Sequence, residues 1–211
     1  MMSVANIRLN YEKGELTESA AKNSPFEQFQ LWLQEAIDLP VAEPTAMTLA
    51  TANARGKPSS RIVLLKGIDN RGFVFYTNYD SRKGQELSQQ ACASLLFFWQ
   101  PLERQVRIEG VIEKVSDQES DDYYQSRPIG SRIGAWASAQ SQPVTVQALQ
   151  SRVDQLSAKY GEAPPRPPHW GGYRLAPDYF EFWQGRPSRL HDRLVYKPSS
   201  DKAWVIERIS P

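Results

Sequence analysis

Residues 59–77 read SSRIVLLKGIDNRGFVFYT, two apolar runs rich in β-branched and aromatic residues with Asp69-Asn70-Arg71-Gly72 between them. Aspartate and asparagine ahead of a glycine favour a tight reversal, so this stretch predicts a hairpin. The pattern repeats outward along the chain. Ala46 to Ala52, Ala91 to Trp99 and Glu103 to Val115 have the same strand-like composition, and Asn53-Ala54-Arg55-Gly56 is another turn signal. Adjacent strands joined by short links predict an antiparallel meander that curls into a barrel. Farther on, Tyr179 to Gln184, Leu190 to Lys197 and Ala203 to Ile209 alternate like strands and are expected to extend the same sheet.

Helices flank and interrupt the strands, which makes the fold class mainly β with α (α+β). Ser24-Pro25-Phe26-Glu27 has the form of a capping box with proline at the first helical position, and Phe26, Phe29, Leu33 and Ile37 follow at helical spacing. Pro40 and Pro44 end that helix near Asp38. A short helix is predicted over Ser81 to Gln90. Ser116 to Glu119 repeats the capping pattern before a helix that Pro128 stops after Arg127. Val144 to Tyr160 carries Leu149, Val153, Leu156 and Tyr160 on one face, with Gly161 placed as a C-terminal cap. Residues 1–23 show no period and read as a flexible N-terminal arm with one helical turn around Asn6 to Lys13. Residues 24–211 read as a single domain.

Composition narrows the function. The chain has 211 residues, 25 Lys+Arg against 24 Asp+Glu, and a net charge of +1. That balance argues against a protein built for non-specific attraction to nucleic acid or an anionic membrane surface. One cysteine, Cys92, excludes an internal disulfide framework, and with only two histidines there are too few soft ligands for a zinc site. A reducing, cytoplasmic setting is expected. No apolar run is long enough to cross a bilayer, and the first residues lack the order of a secretory signal. No G-x-S-x-G elbow, P-loop or G-x-G-x-x-G occurs. Cys92, in an apolar strand, reads as a buried small residue.

Several short runs could bind anions. Arg61-Ile62-Val63-Leu64-Leu65-Lys66 places a cation at each end of a strand expected to be apolar on both faces, which suits either the rim of a phosphate pocket or two side chains reaching solvent. Arg82 and Lys83 occupy the first turn of a helix, where the dipole disfavours cations unless an anion joins them. The alternative is a solvated surface pair. Tyr123 and Arg127, four apart, share a helix face, and Ser131 lies in a turn beyond Pro128; together they could grip a phosphate monoester or simply pack. In an extended chain, Arg189, His191 and Arg193 point to one side, as a donor wall or as a charged edge strand. Glu181 to Gly185 offers Trp183 as a flat ring beside a small residue.

Taken in order, Arg61 to Lys66, Phe75-Tyr76-Thr77-Asn78, Ser81-Arg82-Lys83, Leu102-Glu103-Arg104-Gln105-Val106, Ser126-Arg127-Pro128, Ile133-Gly134-Ala135-Trp136, Gln140-Ser141, Glu181-Phe182-Trp183-Gln184-Gly185 and Arg189-Leu190-His191-Asp192-Arg193 resemble the pyridoxine (pyridoxamine) 5′-phosphate oxidase family. The resemblance runs from about Pro44 to Pro211. It implies an FMN-binding split β-barrel with peripheral helices, working as a homodimer with flavin at the subunit interface. It implies FMN contacts from Arg61, Ile62, Val63, Leu64, Leu65, Lys66, Tyr76, Thr77, Arg82, Lys83, Gln105, Gln140, Ser141, Trp183 and Arg193. Lys66, Tyr123, Arg127 and Ser131 would hold the substrate phosphate, with Arg189, Leu190 and His191 at the substrate ring and Arg189 and His191 as the catalytic pair. The implied reaction takes a hydride from C4′ of pyridoxine or pyridoxamine 5′-phosphate, yields pyridoxal 5′-phosphate, and returns the electrons to dioxygen as hydrogen peroxide. The amine substrate also releases ammonia, and the reaction serves vitamin B6 salvage. Near the N-terminus Arg8-Leu9-Asn10-Tyr11 stands where the family often has Arg-Arg-Glu-Tyr, so Arg8 and Tyr11 match a substrate-covering segment and the middle pair does not.

Overall fold

The computed structural model describes Asn6, residues 10–200 and residues 203–211. Of the helical turn expected over Asn6 to Lys13, residues 7–9, Arg8 among them, lie outside the described residues, and residues 10–13 are not helical. In chain order the elements are α1 (Pro25–Asp38), β1 (Ala46–Ala52), β2 (Pro58–Leu64), β3 (Gly67–Asp69), β4 (Gly72–Asn78), α2 (Arg82–Gln89), β5 (Cys92–Trp99), β6 (Arg104–Lys114), α3 (Asp117–Ser126), α4 (Ile129–Ala137), α5 (Val146–Tyr160), β7 (Trp170–Gln184), β8 (Asp192–Pro198) and β9 (Trp204–Arg208). The strands follow the order β2-β1-β5-β6-β7-β4-β3, and β8 pairs with β7 and β9. The β3–β4, β4–β7, β7–β8 and β8–β9 pairings are antiparallel. The chain forms two compact units. One contains the residues up to Thr48 with Ser94–Glu109 and Pro177–Pro211, and the other contains Leu49–Ala93 with Gly110–Ala176.

The first unit has an aromatic core of Phe29, Phe97, Trp99, Phe180, Phe182 and Tyr196, all fully buried. Burial of each such ring stabilises the fold by roughly 1.5–3 kcal/mol, and their edge-on contacts, such as Phe29 to Phe97 at 4.9 Å, give the core its geometry. The buried stripe of α1 is Gln28, Phe29, Trp32 and Ala36, whereas Ile37 is exposed. The expected stripe through Leu33 and Ile37 is therefore rotated, because the larger Trp32 ring packs edge-on against Phe182 at 5.4 Å. Ser24 stands at the N-cap without a side-chain hydrogen bond, so the expected capping box does not form. Residues of the N-terminal segment are held within this unit. The amides of Glu12 and Lys13 donate to Glu103 Oε2 at 2.7 and 3.0 Å, the Leu16 amide donates to Asp192 Oδ2, and Leu16 is buried.

The second unit contains the hairpin read from residues 59–77, although its paired arms are β3 and β4, with Asp69 opposite Gly72. Gly72 has φ +145°, and a Cβ there would collide with the carbonyl of Leu175 on β7, so the turn requires glycine. Arg174, only 3% exposed, donates to Asp69 Oδ1 at 2.7 Å and to Glu119 Oε1 at 3.0 Å, tying this hairpin to α3. Ser116 caps α3 by accepting from the Glu119 amide, while the Glu119 carboxylate is taken by Arg174.

Four local expectations are corrected. β2 lies at the end of the strand order and Ile62 is 64% exposed, so the strand is not apolar-buried on both faces; Ile62 lines the open cleft instead of packing against another layer. Ser131 lies in the first turn of α4, a helix that starts at Ile129, rather than in a loop. The signal was obscured by Gly130 and Gly134, which lower helix propensity. Cys92 is exposed at the first position of β5, where alternation points it outward. Finally, Arg189, Leu190 and His191 do not lie in a strand. Pro187–Arg189 is a 3-10 turn, Ser188 and Arg189 have positive φ, and β8 begins only at Asp192, so strand alternation does not align Arg189, His191 and Arg193.

Candidate functional site

A cleft of about 830 Å³ lies in the second unit, walled by β2, β4, α2, the end of α3 and α4. That is within the roughly 300–1,000 Å³ usual for cofactor and small-molecule sites. Arg61, Ile62, Val63, Leu64 and Lys66 form one wall. Tyr76, Thr77, Arg82 and Lys83 come from β4 and α2. Tyr123, Arg127 and Ser131 come from α3 and the start of α4, and Gln140 and Ser141 line the cleft beside the start of α2. These residues are distant in sequence, and each was expected at an anion or ring site. Leu65 is buried beneath the wall and does not line it.

The cations are held by a polar lattice. Ser81 caps α2 by accepting from the Gly84 amide, and that helix start carries Arg82 and Lys83 into the cleft. Lys83 Nζ donates to Gln140 Oε1 at 2.8 Å and Thr77 Oγ1 at 3.1 Å. Burial, and after it the charge of Arg61, pulls the Lys83 ammonium down to about 8. The Arg82 amide donates to Ser141 Oγ at 3.2 Å. Arg61 donates to Thr51 Oγ1 and Ser59 Oγ, both at 2.5 Å.

Aromatic rings also line the cleft. Tyr76 stacks on Tyr123 with centroids 3.8 Å apart, and Trp170 continues the stack at 5.6 Å from Tyr76. Burial raises both phenols, Tyr76 to about 12, so they remain hydrogen-bond donors at neutral pH. The Arg127 guanidinium sits 4.6 Å from the centre of the Trp170 ring. Its Nη1 is buried without a hydrogen-bond partner, a costly arrangement that an anionic ligand oxygen would relieve.

The remaining expected residues belong to the first unit. Trp183 and His191 have ring centres 4.6 Å apart, and Tyr11 packs edge-on against Trp183 at 5.7 Å and against His191 at 5.9 Å. The Arg186 amide donates to His191 Nδ1, which places the proton of the neutral ring on Nε2. Burial, then the charge of Arg189, lowers the His191 pKa. Arg193 is paired at 2.8 Å with Glu181, a buried carboxylate that also binds Arg107. Gln105 is half-buried on β6, and Arg189 and Leu190 are exposed beside His191.

Sequence reasoning missed Ser59, Ser138 and Trp170 as cleft residues, and Glu86 as their support. Ser59 shares the strand face of Arg61, and Glu86 lies four residues after Arg82 on one helix face, so both spacings were visible. Trp170 follows a proline-rich connector that carried no strand signal.

A split-barrel sheet with a cation-rich, aromatic-sided cleft defines a class of flavin-dependent oxidoreductases. Residues 33–160 match the family model described as "Pyridoxamine 5'-phosphate oxidase", and residues 170–211 match "Pyridoxine 5'-phosphate oxidase C-terminal dimerisation region". The chain belongs to the pyridoxamine 5′-phosphate oxidase family. It is 65% identical over 210 residues to a Bordetella pertussis protein named pyridoxine/pyridoxamine 5′-phosphate oxidase, covering 100% of both chains. A Paraburkholderia phymatum protein of the same name is 61% identical, again over 100% of both. Among solved structures, PhzG from Burkholderia lata 383, in complex with tetrahydrophenazine-1-carboxylic acid, superposes with a TM-score of 0.87 at 36% identity, covering 92% of this chain and 95% of that one. An FMN-binding protein from Nostoc punctiforme matches with a TM-score of 0.71 at 18% identity, covering 89% and 98%, and shares the fold. The cofactor of this oxidoreductase family is FMN. The cleft fits such a group: its cations suit a phosphate monoester, its dimensions a tricyclic ring, and the orphaned Arg127 nitrogen a further anion. Among the described residues no helix is long and apolar enough to cross a membrane.

Proposed function

We propose that the chain oxidises pyridoxine 5′-phosphate or pyridoxamine 5′-phosphate with dioxygen to pyridoxal 5′-phosphate, releasing hydrogen peroxide and, from the amine, ammonia. The observation that supports this reading is that one cleft carries two groups of cationic and hydroxyl donors suited to anions. Arg61, Arg82 and Lys83 cluster with Thr77, Gln140 and Ser141, whereas Arg127 lies with Tyr123 beside the Tyr76–Trp170 stack. The first set holds the FMN phosphate. Lys66, Tyr123, Arg127 and Ser131 hold the phosphate of the smaller ester. Bound FMN supplies the two-electron acceptor.

The chain works as a homodimer, with FMN held where the subunits meet and Gln105, Trp183 and Arg193 at its ring. Arg189 and His191 orient the substrate ring, Leu190 lies against it, and His191 offers a hydrogen bond from Nε2 because its Nδ1 is already engaged. The packing of Tyr11 on Trp183 and His191 supports a covering role for the N-terminal segment. Position rather than covalent chemistry is what these side chains contribute. A single cysteine and the family's small phosphorylated substrate suit a cytoplasmic setting.

The test is anaerobic addition of pyridoxine 5′-phosphate to the purified yellow protein. The flavin band at about 450 nm should bleach, and peroxide should form when air is admitted. Unphosphorylated pyridoxine at the same concentration should leave the band intact. Equal bleaching by both compounds, or bleaching only by a reduced phenazine carboxylate, would overturn the substrate assignment. A yellow protein that binds pyridoxal 5′-phosphate and is never reduced by either ester would instead be a storage module.

A further inference from the structure

Glu86 lies on α2 with its side chain directed beneath the cleft wall, and it is 5% exposed. Its Oε2 accepts from Thr51 Oγ1 at 2.5 Å, Ser59 Oγ at 2.6 Å and Arg61 Nη2 at 3.2 Å, while Oε1 accepts from Arg82 Nε at 2.9 Å. Arg61 and Arg82 are on different elements, 21 positions apart in the chain (82 − 61), and both line the cleft. A carboxylate facing a phosphate site opposes the anion through space. Its placement is explained by what it grips. Arginine has a fixed donor fork on a flexible stem, and a ligand that must first order it loses affinity to side-chain entropy.

We propose that Glu86 is a positioning residue that aligns Arg61 and Arg82 into one clamp for the cofactor's phosphate. It touches no ligand and acts through the two guanidinium groups. Burial alone would raise its pKa, but the hydrogen bonds from Ser59, Thr51, Arg82 and Arg61 outweigh burial and hold it at about 2, so the tie is ionic at every physiological pH. In Glu86→Gln the amide oxygen can still serve Thr51, Ser59 and Arg61, leaving the NH2 group facing the Arg82 donor. The substitution therefore releases Arg82 while retaining near-native volume.

This inference rests on the assignment of the cleft to FMN, and the test separates the two. Dissociation constants of FMN and of riboflavin, which lacks the phosphate, are measured for apoprotein of wild type, Glu86→Gln, Arg82→Gln and the double variant. Glu86→Gln should weaken FMN by about tenfold or more and riboflavin by less than about twofold. The double variant should be no weaker than Arg82→Gln alone, because Glu86→Gln keeps an acceptor oxygen on Arg61 and releases Arg82 only. Equal weakening of FMN and riboflavin, or additive losses in the double variant, would overturn the positioning role. If the wild type itself fails to prefer FMN over riboflavin, the cofactor assignment falls instead. Should Glu86→Gln not fold, Glu86→Asp retains the charge one methylene farther from Arg82 and must show the same phosphate-selective loss.

Discussion

Arg127 lies over the indole of Trp170 at 4.6 Å, with one guanidinium nitrogen buried and unpartnered. The stack fixes the plane of the guanidinium, and the orphaned N–H group fixes what it must bind. A free buried donor costs about 1–3 kcal/mol, recovered when an acceptor arrives. Arg127→Ala should therefore reduce kcat/KM for pyridoxine 5′-phosphate by about 30-fold or more, equivalent to about 2 kcal/mol. FMN affinity should stay within about twofold. Arg127→Lys should recover little, because lysine has neither the planar fork nor the stacking face. Steady-state kinetics and flavin titration of the same preparations decide this.

Lys83 makes the cleft sensitive to pH. Its folded pKa of about 8 lies below the ordinary 10.5, so the unfolded chain holds the extra proton between these values. From this group alone, the apoprotein gains stability as pH rises through that window, and the penalty is fully present below about pH 8. A bound phosphate reverses the shift. FMN binding at about pH 9 should take up protons, and FMN affinity should fall as pH rises past 8. Calorimetry in two buffers of different ionisation enthalpy measures the uptake, which should vanish in Lys83→Met.

Arg189 and His191 belong to the first unit and the Lys83 lattice to the second, which predicts a division of labour. Lys83→Ala should chiefly release FMN. Arg189→Ala and His191→Asn should lower turnover by about 10²-fold or more while the protein stays yellow. Flavin content after gel filtration, set beside turnover at saturating FMN, distinguishes them. Parallel cofactor loss in all three would count against separate roles.

Gly72 gives a stability prediction independent of ligands. Its φ of +145° and its approach to the Leu175 carbonyl leave no room for a methyl group. Gly72→Ala should destabilise the protein by about 3 kcal/mol or more, read as a lower denaturation midpoint with unchanged flavin spectrum in the surviving fraction.

Much of this architecture was legible in the residues. The hairpin signal at Asp69 to Gly72, the short helix after Ser81 and the cap at Ser116 depend on neighbouring residues and were read where they occur. The cleft cations were legible only in part, since Arg82 and Lys83 at a helix start suit either an anion site or a solvated surface pair. What depended on tertiary context was not. α4 was hidden by its glycines, and the rotated stripe of α1 follows from the Trp32–Phe182 contact. The 3-10 turn at Pro187–Arg189 broke an alternation that looked regular on paper. Strand periodicity also could not tell that β2 is an edge, because its exposure depends on which strands pair around it.

Arg174 joins the β3–β4 turn, through Asp69, to α3, through Glu119. Opening either element alone would strand a buried guanidinium, so neither has a cheap fluctuation of its own. The turn and the first half of the helix should then exchange their amide hydrogens as one cooperative block, with a shared opening free energy. The Tyr76–Tyr123 stack, whose rings come from β4 and α3, inherits that rigidity.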